Sequence, residues 1–437
     1  MTQTPLVDDP HAGTAAIEDL EWFELVRPAP PDRFDPVPLQ AELAAAIATH
    51  AGGARRIAVC AGSRGIARVG EIVAAVVRAL QAAGKEVVLV PAMGSHGGAT
   101  PAGQAGVLHE FGIDAAALGV ELDASMAVTR VGSLRSGEGV YLADSVLRCD
   151  AVIPVNRVKP HTDFRGPFES GLTKMLVIGL GKEVGASSVH AAGFARFDEV
   201  IPEGGEIVFS RLAVPFGVAL LEDAWHRLRR VEVVPGDRIR EREPQLLQES
   251  WQHFARLPFG EVDVLVLREM GKTVSGSGMD PNVTGRFSAV PLAAPTVVHR
   301  LAVLDLREDS GGNAIGVGLA DVVTERLRRK IDWPATEANA IASKSLVGAK
   351  LPLVAPSDLA ALGIAGDSLV GRRIDEAAVA AAVNTLEVFH LAVTAPLVEQ
   401  ARAAGYEEVD GGHPRRAAFL PDGTLAGIGG LHFFRAG

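Results

Sequence analysis

Three glycine-bordered loops hold most of the side chains able to carry chemistry. The most crowded is Asn156-Arg-Val-Lys-Pro-His-Thr-Asp-Phe-Arg165, followed by Glu169-Ser-Gly-Leu-Thr-Lys174 and by Ser188-Val-His190. The chain has only eight lysines, and three of them, Lys159, Lys174 and Lys182, fall within this stretch. A lysine, unlike an arginine, can lose its proton and form covalent bonds. With His161 and His190 nearby, the pattern points to an amine anchor beside imidazoles that act as acid, base or metal ligand. The competing reading is a cationic surface loop.

The second loop is Pro91-Ala-Met-Gly-Ser-His-Gly-Gly-Ala-Thr100. His96 stands between glycines at the end of an apolar run, presented on open backbone as a general base must be; a structural histidine in a turn fits equally. The third is Cys60-Ala-Gly-Ser-Arg-Gly-Ile-Ala-Arg68. Here Arg64 or Arg68 could clamp a carboxylate bidentately, or simply face solvent.

Each loop needs an element to present it. Ile57–Ala61 and Val87–Val90 are short apolar runs separated by a helical pattern, Glu71–Ala83. This strand–helix–strand rhythm argues for a parallel sheet. A helix is expected at Leu39–Thr49 and a strand at Ala151–Val155, while Met175–Ile178 suits a strand or a buried helix. Trp225–Pro258 reads as charged and helical or surface-bound. The rhythm restarts with strands at Val262–Leu267 and Leu301–Leu306 and a helix at Leu319–Lys330. Helices at Glu376–Leu386 and Leu397–Ala404 then flank a strand at Val388–Val393. The expected fold is two α/β domains with mostly parallel sheets. Residues 1–260 form an N-terminal domain with the catalytic and anchoring loops. Residues 261–437 form a C-terminal domain closing the cleft, with the last residues able to return to the first. The active site is expected between them, at the C-terminal ends of strands.

The 437 residues are 48% hydrophobic and 22% charged, a globular composition. Lys plus Arg is 42 against 53 acids, a net charge of −11, which disfavours nucleic acid as a partner. Cys60 and Cys149 are the only cysteines, too few for a disulfide framework, a Cys-rich zinc site or an iron–sulfur cluster. No signal peptide or membrane span is apparent, so the expected location is cytoplasmic, with no membrane partner.

Taken together, the loops resemble the lactate racemase family, whose members use a nickel pincer nucleotide. The family's first histidine, Pro-His histidine, Ser-Gly-x-x-Lys lysine and downstream histidine fall here on His96, His161, Lys174 and His190, separated by 65, 13 and 16 residues. The last interval agrees with the family and the first is close. The middle one is longer, so the loop around Asp163–Phe168 is rebuilt. The stretch Gly271–Arg286 looks like a signature of a divergent branch of nickel pincer cofactor-dependent isomerases.

The resemblance implies a racemase or epimerase of a 2-hydroxy acid, an isomerase working by reversible proton-coupled hydride transfer. Lys174 would anchor the pincer nucleotide covalently through a thioamide, Ser170 and Gly171 would cradle its phosphate, and His190 would ligate nickel. Soft sulfur with imidazole suits Ni(II), and the sulfur must come from the cofactor. His96 and His161 would be the acid/base pair. Arg64 would hold the substrate carboxylate, with Asp280, Asn282 and Arg286 as further substrate contacts. Cofactor-maturation enzymes are implied partners. One departure stands out: the family has an Asp three residues before the Arg, and this chain has Ala61.

Three other readings compete. Gly179-Leu-Gly181-Lys-Glu-Val-Gly185 looks like a variant dinucleotide fingerprint, which would make the protein an NAD(P)-linked oxidoreductase. His96, His161 and His190 could instead bind zinc in a hydrolase. A non-catalytic cofactor carrier would keep Lys174 and His190 but lack efficient acid/base geometry.

Overall fold

The sequence places the candidate loops after apolar runs, and the computed structural model shows what those runs become. It describes residues 16–31, 34–62, 65–343 and 345–433. The chain divides into two units: Pro31–Phe254, and a second that joins Met1–Pro30 to Ala255–Gly437. Both are α/β.

In the middle unit, Pro31–Phe254, six strands form one sheet. Their order is Glu121–Leu122, Glu86–Pro91, Arg56–Ala61, Ala151–Arg157, Phe216–Glu222 and Leu228–Pro235. All neighbours are parallel except the last pair. The alternation of a strand sends its side chains to opposite faces. Ile57, Val59 and Ala61 pack with helices Val37–His50 and Val69–Ala82, while Ala58 and Cys60 pack on the other side with Met175–Leu180 and Phe197–Val208. Both faces are covered, which is why the strands read as continuous apolar runs.

Register decides where the loops go. Ala61 pairs with Pro91 on one side and with Val155 on the other. Two of the three adjacent parallel strands therefore end level and the third runs two residues further, to Arg157, and the loops that follow them, with Arg64, His96 and His161, all leave from that edge. This is the edge at which open α/β sheets bind ligands.

The other unit holds an eight-stranded sheet in the order Leu353–Ala355, Val322–Thr324, Val297–Leu306, Glu261–Met270, Val379–Ala382, His390–Val393, Phe23–Val26, Glu407–Glu408. The first five are parallel and the remainder antiparallel.

Several elements differ from expectation. The alanine-rich run expected as a helix over Glu376–Leu386 contains the strand Val379–Ala382. Packing overrides the helix preference of alanine: the run is fully buried between two neighbouring strands, where small side chains fit. Leu319–Lys330 is not one helix but a strand, Val322–Thr324, capped into a helix, Glu325–Lys330, by the Thr324 hydroxyl. Trp225–Pro258 holds an edge strand and the helix Ile239–Gln252. Met175–Ile178 is helical: Leu180 N–H reaches back five residues to Met175 O at 3.0 Å, a π-type turn. Among the described residues no helix is long and apolar enough to cross a membrane.

Candidate active site

Asn156 and Arg157, consecutive at the end of their strand, point opposite ways and hold two loops. The Asn156 amide donates to Gly171 O at 2.8 Å. Arg157 pairs with Glu222 and donates to Gly65 O at 3.3 Å, while Glu222 also accepts from Ala67 N at 2.7 Å. The segment that follows Arg64 is thereby held at Gly65 and Ala67; Arg64 itself lies outside the described residues.

The helical run that carries Lys174 begins at Leu172. Its first turn is capped by a carboxylate from a distant helix. Thr173 donates to Glu243 Oε2 from both its amide, at 3.0 Å, and its hydroxyl, at 2.6 Å. Glu243 is buried, which pushes its pKa up to about 7 against the Thr173 hydrogen bonds. Gly171 has no room for a side chain, because a Cβ there would sit 2.0 Å from Glu243 Oε1.

Lys174 lies beside an aromatic cluster, its Nζ 5.1 Å from the centre of the Phe164 ring. His161 packs on the same ring at 4.5 Å and on Phe194 at 5.9 Å. His190, the last residue of helix Lys182–His190, lies 5.6 Å from Phe194 and 5.4 Å from Phe197. Three of the four expected residues are thus gathered around Phe164, Phe194 and Phe197.

The hydrogen bonds set the proton positions. His190 Nδ1 lies 2.6 Å from Ala186 O, an acceptor only, so Nδ1 carries a proton and the neutral ring has its lone pair on Nε2. Burial lowers the His190 pKa below the ordinary histidine value. The Ala186 carbonyl opposes this and the Lys174 charge adds to it. A neutral imidazole with one N–H bonded to a backbone carbonyl is the usual form of a histidine metal ligand.

His161 is the opposite case. Asp163 N–H donates to His161 Nδ1 at 3.0 Å, so the neutral ring carries its proton on Nε2. When the ring is protonated, Nδ1 also bears a proton, and Asp163 Oδ2 lies 3.8 Å away to face it. The His161 backbone is held by Glu169, whose Oε2 accepts from His161 N at 2.8 Å. Burial raises the Glu169 pKa, opposed by that amide and by Arg165 and Lys174.

His96 is exposed, and its loop is tied down from within. Gly94 N donates to Gly179 O at 3.1 Å, and Gln104 donates to His96 O at 3.3 Å. A Cβ on Gly94 would lie 3.3 Å from the Ala186 methyl, one turn before His190. Ser170 is joined to Lys159 through the bond from Lys159 N to Ser170 O at 2.8 Å.

The remaining expected contacts are in the other unit. Asp280 Oδ1 accepts from Asn282 N at 2.9 Å, an Asx turn, and Asn282 is buried. Arg286 binds Asp321 at 2.7 Å and the carbonyls of Val298 and His299.

Two competing readings lose their footing. The Gly179–Gly185 segment follows a helical turn and runs into helix Lys182–His190, so it lacks the strand before the glycines that a dinucleotide fingerprint requires. Among the described residues, the one group of His, Cys, Asp or Glu close enough to share an ion is Glu261, Asp263 and His299. It lies in the other unit, and Asp263 is already bound by Arg372 at 2.7 Å. His96, His161 and His190 form no such group. At His190 the chain offers an imidazole, and further ligands would have to come from a bound group. That donor set fits a tethered cofactor that brings its own sulfur.

Glu243, Gln104 and Phe194 were not singled out by sequence. Glu243 had a signal: it shares the buried stripe Ile239, Glu243, Leu246, Leu247, Ser250, where an acid is out of place.

Residues 52–199 match the family model of the lactate racemase N-terminal domain. No curated protein matches the chain. Among solved structures, the lactate racemase apoprotein from Thermoanaerobacterium thermosaccharolyticum is similar, at 12% sequence identity and a TM-score of 0.41, over 68% of this chain. The match spans 66% of that racemase, just under two thirds of its length. Over residues 52–199, the stretch that carries His96, His161, Lys174 and His190, this chain is lactate racemase-like.

Proposed function

We propose that the protein is a racemase or epimerase of a 2-hydroxy acid that works with a nickel pincer nucleotide tethered to Lys174. The observation that carries this reading is the grouping of Lys174, His161 and His190 around one aromatic cluster, with His190 in the tautomer that leaves Nε2 for a metal.

Lys174 would hold the cofactor and His190 its nickel, with Ser170 and Gly171 near the phosphate. When bound, such a group would supply reversible hydride chemistry at the substrate C2, which is what loss of configuration requires. The chain's own residues manage the proton and the pose. Arg64 would clamp the carboxylate, which fixes C2. His161 and His96 would each take the hydroxyl proton from one enantiomer and give it back to the other. For His161 the Asp163 carboxylate is placed to face the imidazolium that forms. The apolar rings of Phe164, Phe194 and Phe197 limit water at the reacting atoms. Asp280 and Asn282 would select among 2-hydroxy acids.

Intact mass of protein from a host that makes the cofactor tests the tether: the wild type carries a nucleotide adduct and Lys174→Ala does not. His190→Ala keeps the adduct and loses nickel. The two-base assignment has its own readout. His96→Ala should reduce the cofactor in a single turnover with one enantiomer, and His161→Ala with the other, while net racemisation falls on the order of 10²–10⁴-fold in each. If both variants keep cofactor and nickel yet fail with both enantiomers, the pair is not a two-base system.

A further inference from the structure

Lys182 is fully buried in a chain with few lysines, and its backbone is left-handed, φ 52°. Neither burial of an amine nor that conformation is favourable for such a residue. Its Nζ donates to Pro91 O at 2.7 Å and to Gln104 Oε1 at 2.9 Å. Pro91 ends the strand from which the His96 loop leaves. Gln104, also fully buried, sits in helix Pro101–Glu110 and turns its amide nitrogen to Gly94 O at 2.8 Å and His96 O at 3.3 Å.

The donor count makes this arrangement directional. An ammonium or amine donates to the acceptors here, so the Gln104 oxygen must face Lys182 and its NH₂ must face the two loop carbonyls. The flipped amide would set NH₂ against the lysine and oxygen against two carbonyl oxygens. Lys182 therefore selects the one Gln104 orientation that can grip the loop on both sides of Ser95.

We propose that Lys182, acting through Gln104, is the positioning residue for His96. It starts the helix that ends at His190 and sits between Lys174 and His190 in sequence, so the same segment that would carry cofactor and metal also sets the His96 loop. The assignment of a catalytic purpose rests on the acid/base reading of His96; the positioning does not.

The test uses the full chain in two arms. In protein made without cofactor, hydrogen exchange is followed at the amides of Gly94, His96 and Ala99, which bond to the carbonyls of Gly179, Met93 and Ser95. Lys182→Met, Gln104→Leu and Gln104→Glu should each speed their exchange on the order of tenfold, the effect of losing one or two hydrogen bonds, with the Arg56–Ala61 strand unchanged. Gln104→Glu is decisive if the lysine variant folds poorly, because it keeps an acceptor for Lys182 and removes the donor to the loop. In loaded enzyme the same variants should slow the half-reaction assigned to His96 at least tenfold, leaving the other half-reaction and nickel content intact. Unchanged exchange in the loop, or an equal rise throughout the sheet, overturns the positioning role. Loop exchange that rises while both half-reactions fall equally overturns its link to His96. If the wild type turns over no 2-hydroxy acid, the functional reading fails and the exchange arm still decides the positioning.

Discussion

Replacing Glu243 with glutamine should change how stability depends on pH. The carboxyl is fully buried, and burial pushes its pKa up to about 7, from 4.5 for an ordinary glutamate. Between those values the folded protein keeps the proton while the unfolded chain has released it. Stability from this group is then complete below pH 4.5 and is lost as pH rises toward 7. The gap corresponds to about 3 kcal/mol. Glutamine keeps an acceptor for the Thr173 amide and hydroxyl and does not titrate. Urea unfolding of wild type and Glu243→Gln at intervals from pH 4.5 to 7.5 reads the difference directly. The wild type should lose about 3 kcal/mol relative to the variant across that window. A difference that stays flat within about 0.5 kcal/mol would mean that the carboxylate is solvated or paired in the folded state. The account of how the Lys174 turn is capped would then be wrong.

Other substitutions test the same neighbourhood. Gly171→Ala should destabilise by about 1–3 kcal/mol, since its Cβ falls 2.0 Å from Glu243 Oε1. The double variant with Glu243→Ala should recover part of that loss in a urea double-mutant cycle. Phe164→Ala should cost about 3–5 kcal/mol by the same measurement, as expected for emptying a buried aromatic site. In loaded protein it should also slow turnover, because the ring packs against His161 and the Lys174 amine.

The parts of the fold that were legible are those whose pattern is local. Arg56–Ala61, Glu86–Pro91 and Ala151–Arg157 each hold a run of apolar residues, and a strand covered on both faces leaves that trace. Val379–Ala382 left the opposite trace, because alanine favours helices and the run becomes a strand through the neighbours it is wedged between. Phe23–Val26 could not be read at all. Four residues carry little pattern, and what makes them a strand is His390–Val393, which lies at the other end of the chain. Lys174, His161 and His190 were legible because their types are scarce and chemically distinctive. Gln104 and Glu243 were not, since an amide or a carboxyl gains its role only from burial and from partners far along the sequence.

Ala61 gives this contrast a mechanistic edge. Where a carboxylate bonds an imidazole, it fixes both the direction of the ring and the nitrogen that carries its proton. Asp163 is placed to do this for His161, through an amide that bonds Nδ1 in the neutral ring and a carboxylate that faces the charged one. The support that reaches His96 from Lys182 and Gln104 ends on its carbonyl. A bond to the backbone fixes where the side chain starts but does not choose its tautomer. The supports that reach His161 and His96 from these residues differ, so the two should respond to different substitutions. If they are the acid/base pair proposed above, the half-reaction through His161 should depend on Asp163 and the one through His96 should not. Asp163→Asn should therefore slow the single-turnover half-reaction assigned to His161 and leave the one assigned to His96 unchanged, measured with each enantiomer in turn. An equal loss in both directions would mean that Asp163 does not act through His161 alone.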